Sequence, residues 1–264
     1  SPSGHLVDTF VYDNFSSPAT QNMGDYRYDG TDYYYVNYAE GIYVGYKYYE
    51  TRYEDVVCSR PEVGTYDYAS TVLYPFGYGL SYTSFVWSNF EMTEADADGN
   101  ITISLDVFNN GDRRSKEVVQ VYVQAPYTAY GVEKSSVVLV GFAKTDYIEP
   151  QGTANVEITV NLRDFTSYDA NGAKTYILEQ GNYYVTAASD AHRAVNNILT
   201  ARAEAGDTSV DTNKMTAAGD ASFVGTFEQA QTDKTTYAAT VSGEGTVTNL
   251  FDGAKLTDTP YLSR

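Results

Sequence analysis

The stretch Ile101-Thr102-Ile103-Ser104-Leu105-Asp106-Val107-Phe108-Asn109-Asn110-Gly111-Asp112 alternates apolar and polar side chains and then breaks into turn residues. A period of two sends Ile101, Ile103, Leu105 and Val107 to one face and Thr102, Ser104 and Asp106 to the other, as in a strand with one buried side. Asn, Gly and Asp tolerate the tight backbone that must follow. Val119, Val121 and Val123 repeat the alternation, and further strands are predicted around Val138 to Lys144, Val156 to Leu162, Tyr176 to Leu178, Tyr183 to Ala187 and Val195 to Ala201. Pro150-Gln151-Gly152 and Gln180-Gly181-Asn182 punctuate the series.

About seven or eight short strands separated by turn signals predict a mainly β fold, an immunoglobulin-like or fibronectin-III-like β-sandwich over residues 84–203. The flanks read differently. Residues 1–83 carry no long helical period and no complete set of strands, and the 11 tyrosines between Tyr26 and Tyr53 have few aliphatic companions. That is poor material for an independent close-packed core, so the expectation is part of a domain covered by something outside the chain. Residues 204–264 are polar and rich in Thr, Ala, Gly and Asp, and read as a connector. Within it, Val241, Thr246-Val247 and Leu250-Phe251 are candidates for one or two strands.

Between the first two regions lies Leu73-Tyr74-Pro75-Phe76-Gly77-Tyr78-Gly79-Leu80-Ser81-Tyr82-Thr83-Ser84-Phe85. Pro75 fixes its own φ, Gly77 and Gly79 permit turns that a β-carbon obstructs, and Tyr74, Phe76, Tyr78 and Tyr82 are expected to anchor the turn. This is a rigid hinge in sequence.

Bulk properties narrow the partners. Of the 264 residues 35 are Asp or Glu and 17 are Lys or Arg, a formal charge of −18 that repels phosphate backbones and anionic membranes. Neither nucleic acid nor a membrane is therefore expected as a partner. No apolar run approaches the roughly 18 residues of a spanning helix, and no targeting signal is visible. The single cysteine, Cys58, excludes an intrachain disulfide and leaves the compartment open.

Several segments, in order, resemble glycoside hydrolase family 3 β-glucosidases. Ser1-Pro2-Ser3-Gly4-His5-Leu6-Val7-Asp8-Thr9-Phe10 is similar to the family's Asn-Pro-Ser-Gly-x-Leu-Pro-x-Thr-Phe, with Ser1 and Val7 departing from it. Tyr38-Ala39-Glu40-Gly41-Ile42-Tyr43-Val44-Gly45-Tyr46-Lys47-Tyr48 resembles Tyr-x-Glu-Gly-Ile-x-Val-Gly-Tyr-Arg-Tyr, with lysine in place of arginine. The hinge, Asn109 to Asp112, Glu117 to Val123 and Leu139 to Thr145 follow in the family's order. The resemblance implies three parts: residues 1–83 as the end of an α/β sandwich domain with its hinge, 84–203 as a fibronectin-III-like domain, and 204–264 as a connector. It also implies a retaining hydrolase of terminal β-D-glucosides, with the remaining catalytic domains and a β-glucoside or oligosaccharide as partners. β-Xylosidase is an alternative within the family, and a stand-alone carbohydrate-binding or adhesion module one outside it. Tyr261-Leu262-Ser263-Arg264 resembles the approach to a (β/α)8 barrel in members with reversed domain order.

The family's aspartate nucleophile and acid/base glutamate are implied to lie outside this chain, so no catalytic residue is assigned. Ser242-Gly243-Glu244-Gly245 reproduces an acid/base tetrapeptide, but Thr246-Val247-Thr248-Asn249 follows it where the family has Asp-Arg, and a glycine-flanked turn is the expectation. Asp96-Ala97-Asp98-Gly99-Asn100 has part of a calcium-loop spacing and is read as a hairpin turn. His5 and His192 lack ligand-spaced partners and are read as surface or packing residues. No metal or cofactor is expected. Glu40, in aromatic surroundings, is read as making an ion pair or backbone hydrogen bonds, with an acid role as the alternative. The tyrosines from Tyr26 to Tyr53 are open to three uses: packing against a missing domain, a rim near a sugar site, or a carbohydrate-binding face.

Overall fold

The computed structural model describes residues 4–21, 27, 30–240, 242–254 and 261–264. Ser1 to Ser3 of the first motif, Tyr26 and the candidate strand residue Val241 lie outside the described residues. Along the chain run β1 (Phe10–Val11), α1 (Pro18–Gln21), α2 (Tyr46–Val57), α3 (Tyr68–Thr71), β2 (Val72–Tyr74), β3 (Phe85–Met92), β4 (Asn100–Asn109), β5 (Val118–Gln124) and β6 (Val138–Lys144). They are followed by β7 (Thr153–Asn161), β8 (Ser167–Tyr168), β9 (Tyr176–Ile177), β10 (Gly181–Ala188), α4 (Ala191–Glu204) and β11 (Val224–Gln229).

Two antiparallel sheets, ordered β3-β4-β7 and β11-β10-β5-β6, pack face to face. Ile101, Ile103, Leu105 and Val107 of β4 meet Val119, Val121 and Val123 of β5 and Val185 and Ala187 of β10 in one core. Each fully buried aliphatic side chain here contributes about 1.5–3 kcal/mol of transfer free energy. The β4 alternation is therefore the sandwich in miniature. The tenth residue of β4, Asn109, is also buried, and its amide donates to the carbonyls of Arg113 and Ile148 at 2.7 and 2.9 Å. Its Oδ1 accepts from the Thr83 hydroxyl at 2.6 Å, which ties the end of the hinge to the predicted Asn109-Asn110-Gly111-Asp112 turn.

A third layer was not legible. The outer face of β5 presents Gln120, Tyr122 and Gln124, all buried, and α2 and α4 cover it. Residues Val195 to Ala201, expected as a strand, lie inside α4. Asp190 caps this helix by accepting the Arg193 N–H at 2.8 Å, and Ala191, Ala194, Val195, Ile198 and Leu199 fall at helical spacing on the buried side. Alanine and asparagine around them mute the apolar signal. Asp190→Ala is expected to cost about 1 kcal/mol, a fall of about 2–4 °C in the melting temperature followed by circular dichroism.

For two of the N-terminal tyrosines the cover comes from within the chain, whereas Tyr33, Tyr34 and Tyr38 stay exposed. Tyr49 and Tyr53 sit on the buried face of α2, and α4 of the same chain covers them. The helical period of α2 is hidden because its inward face reads Tyr49, Glu50, Tyr53, Glu54 and Val57, with two glutamates in it. Beyond residue 203 the chain returns to the sandwich: β11 pairs with β10 from Gly181↔Gln229 to Thr186↔Val224. Val224 to Gln229 supply this edge strand, whereas Leu250 and Phe251 are exposed and Thr246 makes an isolated bridge with Ala239.

Candidate functional site

The hinge is fastened on both sides. Gly77 adopts φ +85°, which L side chains resist, and its N–H donates to the Leu6 carbonyl at 2.9 Å while the Leu6 N–H donates to Tyr78 O at 2.8 Å. On the sandwich side the Ala191 N–H, opening α4, donates to Phe76 O at 2.9 Å. The Gln120 amide donates to Ser189 O at 2.6 Å, and its oxygen accepts from the Tyr122 hydroxyl at 2.6 Å. Phe76 stacks on Tyr46 at 4.7 Å and packs into the helical layer. Of the four expected aromatic anchors it is the one that enters this core. Tyr74 and Tyr78 stack on each other at 4.9 Å with Tyr74 exposed, and Tyr82 is 67% exposed. Those tyrosines face outward.

With Phe10, His5, Leu6 and Leu80 the Tyr74-Tyr78 pair lines an open cleft of about 590 Å³. Phe10 and Leu80 are each about half exposed, and Val7, Tyr12 and Leu73, in or beside β1 and β2, are exposed as well. An unpartnered apolar surface of this kind marks a contact site. A second exposed aromatic stretch, Tyr33, Tyr34 and Tyr38, precedes α2.

Behind these surfaces α2 and α4 share two buried polar clusters. In the first, Glu50 accepts from the Tyr68 hydroxyl at 2.6 Å and from His192 Nδ1 at 2.8 Å, while His192 Nε2 meets Thr216 Oγ1 at 2.6 Å. The His192 ring lies flat on Tyr68 at 3.9 Å. In the second, Arg202 donates to Glu54 at 2.7 Å, to Gln124 at 3.0 Å and to Asp207 at 2.8 Å. Burial raises the Glu54 carboxyl, but the Arg264 and Arg202 guanidiniums outweigh it and hold it down at about 2. Burial pushes its neighbour Asp55 up, and pushes the Cys58 thiol up as well. Glu50, Glu54 and Asp55 are thus committed to fixed partners inside the chain. A retaining glycosidase instead needs two carboxyl groups about 5–5.5 Å apart across an open sugar pocket.

Residues 117–191 match the model of the fibronectin type III-like domain. The chain is 36% identical over 198 residues to a β-glucosidase of Ruminococcus albus, covering 74% of this chain and 18% of that protein. It is 35% identical over 200 residues to β-glucosidase A of Butyrivibrio fibrisolvens, covering 70% and 22%. Among solved structures, β-glucosidase 3B of Thermotoga neapolitana superposes with a TM-score of 0.60 at 26% identity over 88% of this chain and 25% of that one. The glycoside hydrolase family 3 β-glucosidase of Bifidobacterium adolescentis gives 0.56 at 26% over 71% and 24%. This chain belongs to glycoside hydrolase family 3. It spans about a fifth of the length of the curated family 3 relatives it matches.

Glu244 lies on the exposed tip of a turn in which Gly243 has φ +74° and donates to Thr240 O at 2.9 Å. Asp96 spends its carboxylate on the turn, accepting from the Asn100 and Asp98 N–H groups at 2.8 and 2.9 Å, and these hydrogen bonds hold it below the usual carboxylate range. No group of His, Cys, Asp and Glu suited to a metal is found among the described residues. Glu40 is buried in a turn whose backbone closes from Tyr43 N–H to Glu40 O at 3.0 Å. His5 bonds the Gly77 carbonyl through Nδ1 and lies 3.9 Å from Glu117. His192 packs on Tyr68 and also bonds Glu50 and Thr216, while Glu54, Arg202 and Gln120 are buried polar groups that no sequence motif singles out. The available signal was a pair of glutamates four apart, Glu50 and Glu54, in a tyrosine-rich helix.

Proposed function

We propose that this chain is a non-catalytic portion of a retaining β-glucosidase acting on terminal β-D-glucosides, and that it braces the catalytic domains. The observation that carries the reading is the fastened turn at Gly77, which presents an exposed apolar cleft of Phe10, Tyr74, Tyr78 and Leu80 on a rigid base. A brace acts through distance: displacement of a reacting group by about 1 Å costs about 100-fold in rate. The buried carboxylates stabilise the helical layer and take no part in bond breaking.

The parent enzyme carrying Phe10→Ser together with Leu80→Ser is expected to lose about 100-fold in kcat/KM on an aryl β-glucoside. An unchanged rate would remove the bracing role. This chain assayed alone is expected to give no turnover. Turnover that survives Glu244→Gln and vanishes on another substitution within the chain would place the catalytic carboxylates here and defeat the proposal. Glucan binding without turnover would favour the carbohydrate-binding module instead.

A further inference from the structure

The segment Tyr261 to Arg264 lies against α2, with the Arg264 side chain inserted beside Asp55. The Arg264 guanidinium, almost wholly buried, reaches Asp55 Oδ1 through Nε at 2.8 Å and Glu54 Oε2 through Nη2 at 2.8 Å. It lies 4.5 Å over the ring of Tyr127, and Arg60 lies at 4.5 Å from the same ring. The backbone is gripped as well: Leu262 N–H donates to Ala39 O at 2.7 Å, Arg264 N–H to Glu133 at 3.2 Å, and the Tyr127 hydroxyl donates to Arg264 O at 2.7 Å. Arg52 donates to Ser263 O at 3.2 Å.

The socket does not depend on its occupant for charge balance. Without Arg264, Glu54 retains Arg202 at 2.7 Å, and Asp55 retains Arg60 at 3.1 Å and Arg52 at 3.6 Å. Asp207 stays with Arg202 at 2.8 Å. Three carboxylates then face three guanidiniums. A buried carboxylate stripped of its partner would be strongly destabilising, and this arrangement avoids that outcome. We propose that residues 261–264 form a releasable strap, seated by the two-carboxylate fork on Arg264, in a socket that persists when the strap leaves. Seated, the strap pins the Asn37 to Tyr43 turn through Ala39 and so sets the position of the exposed tyrosines that precede it. The proposal is independent of the bracing role.

Amide hydrogen exchange read by NMR tests it on the full chain. Arg264→Gln is expected to speed exchange of the Leu262 amide about 100-fold, while the amides of Val119, Val121 and Val123 in β5 exchange as before. Arg264→Lys, which keeps the charge and loses the planar fork, is expected to give about a 10-fold acceleration. Loss of β5 protection together with Leu262, or failure of the Gln variant to fold, would make Arg264 a keystone of the fold and overturn the proposal. Retained protection at Leu262 in the Gln variant would overturn it as well.

Discussion

Arg202→Met is expected to lower the unfolding free energy at pH 7 by about 3 kcal/mol, because it leaves Gln124 Oε1 and half of Glu54 without a donor in the interior. The loss should depend on pH. Glu54 ordinarily titrates near 4.5 and is held at about 2 in the fold, so its pairing adds stability that is present above pH 4.5 and lost as the pH falls towards 2. A shift of that size corresponds to about 3 kcal/mol, shared between the Arg264 and Arg202 guanidiniums, so Arg202→Met removes only part of it. Urea unfolding of the wild type and Arg202→Met at pH 7 and pH 2.5 should therefore show the gap narrowing in acid. An equal gap at both values would mean that Arg202 acts through packing of its stem and that the ion pair is incidental.

Gly77→Val should cost about 2–5 kcal/mol, the sum of two separable penalties. The left-handed backbone at φ +85° costs a residue with a β-carbon about 1–2 kcal/mol. That β-carbon also falls 2.7 Å from Gln120 Nε2, in a side chain held by Ser189 and Tyr122, and overpacking of this kind costs about 1–3 kcal/mol. A double-mutant cycle separates them. Combining Gly77→Ala with Gln120→Ala should recover the steric part and leave the backbone part, a coupling of about 1–3 kcal/mol by thermal unfolding. Strict additivity would show that the Gln120 amide moves aside freely.

The parts of the fold that alternate in sequence were legible, and those that hide polar groups inside were not. β4 declares itself because every second side chain is aliphatic. β5 shows the same alternation at Val119, Val121 and Val123, but the helical layer also buries its Gln120, Tyr122 and Gln124, which no apolar pattern marks. α2 was lost for the same reason, since glutamates occupy its inward face. Their partners are remote: Arg202 is 148 residues from Glu54, and Arg264 is 209 from Asp55. Neither periodicity nor local spacing carries such pairings. The hinge was recognised by its Pro and Gly, yet the direction of its tyrosines depends on which surface stays open, and Tyr82 points where the chain offers no cover.

The burial of β5 on both faces has a kinetic meaning. The strand sits between the sandwich core and the helices, with β10 on one edge and β6 on the other, so any partial opening that frees it must also undo two neighbours and a layer. Its amides should be the slowest in the chain to exchange, opening only with the whole molecule, and a denaturant series should find α2, α4 and the edge strands released before it. The strand that joins the two cores would be the last piece of order to disappear.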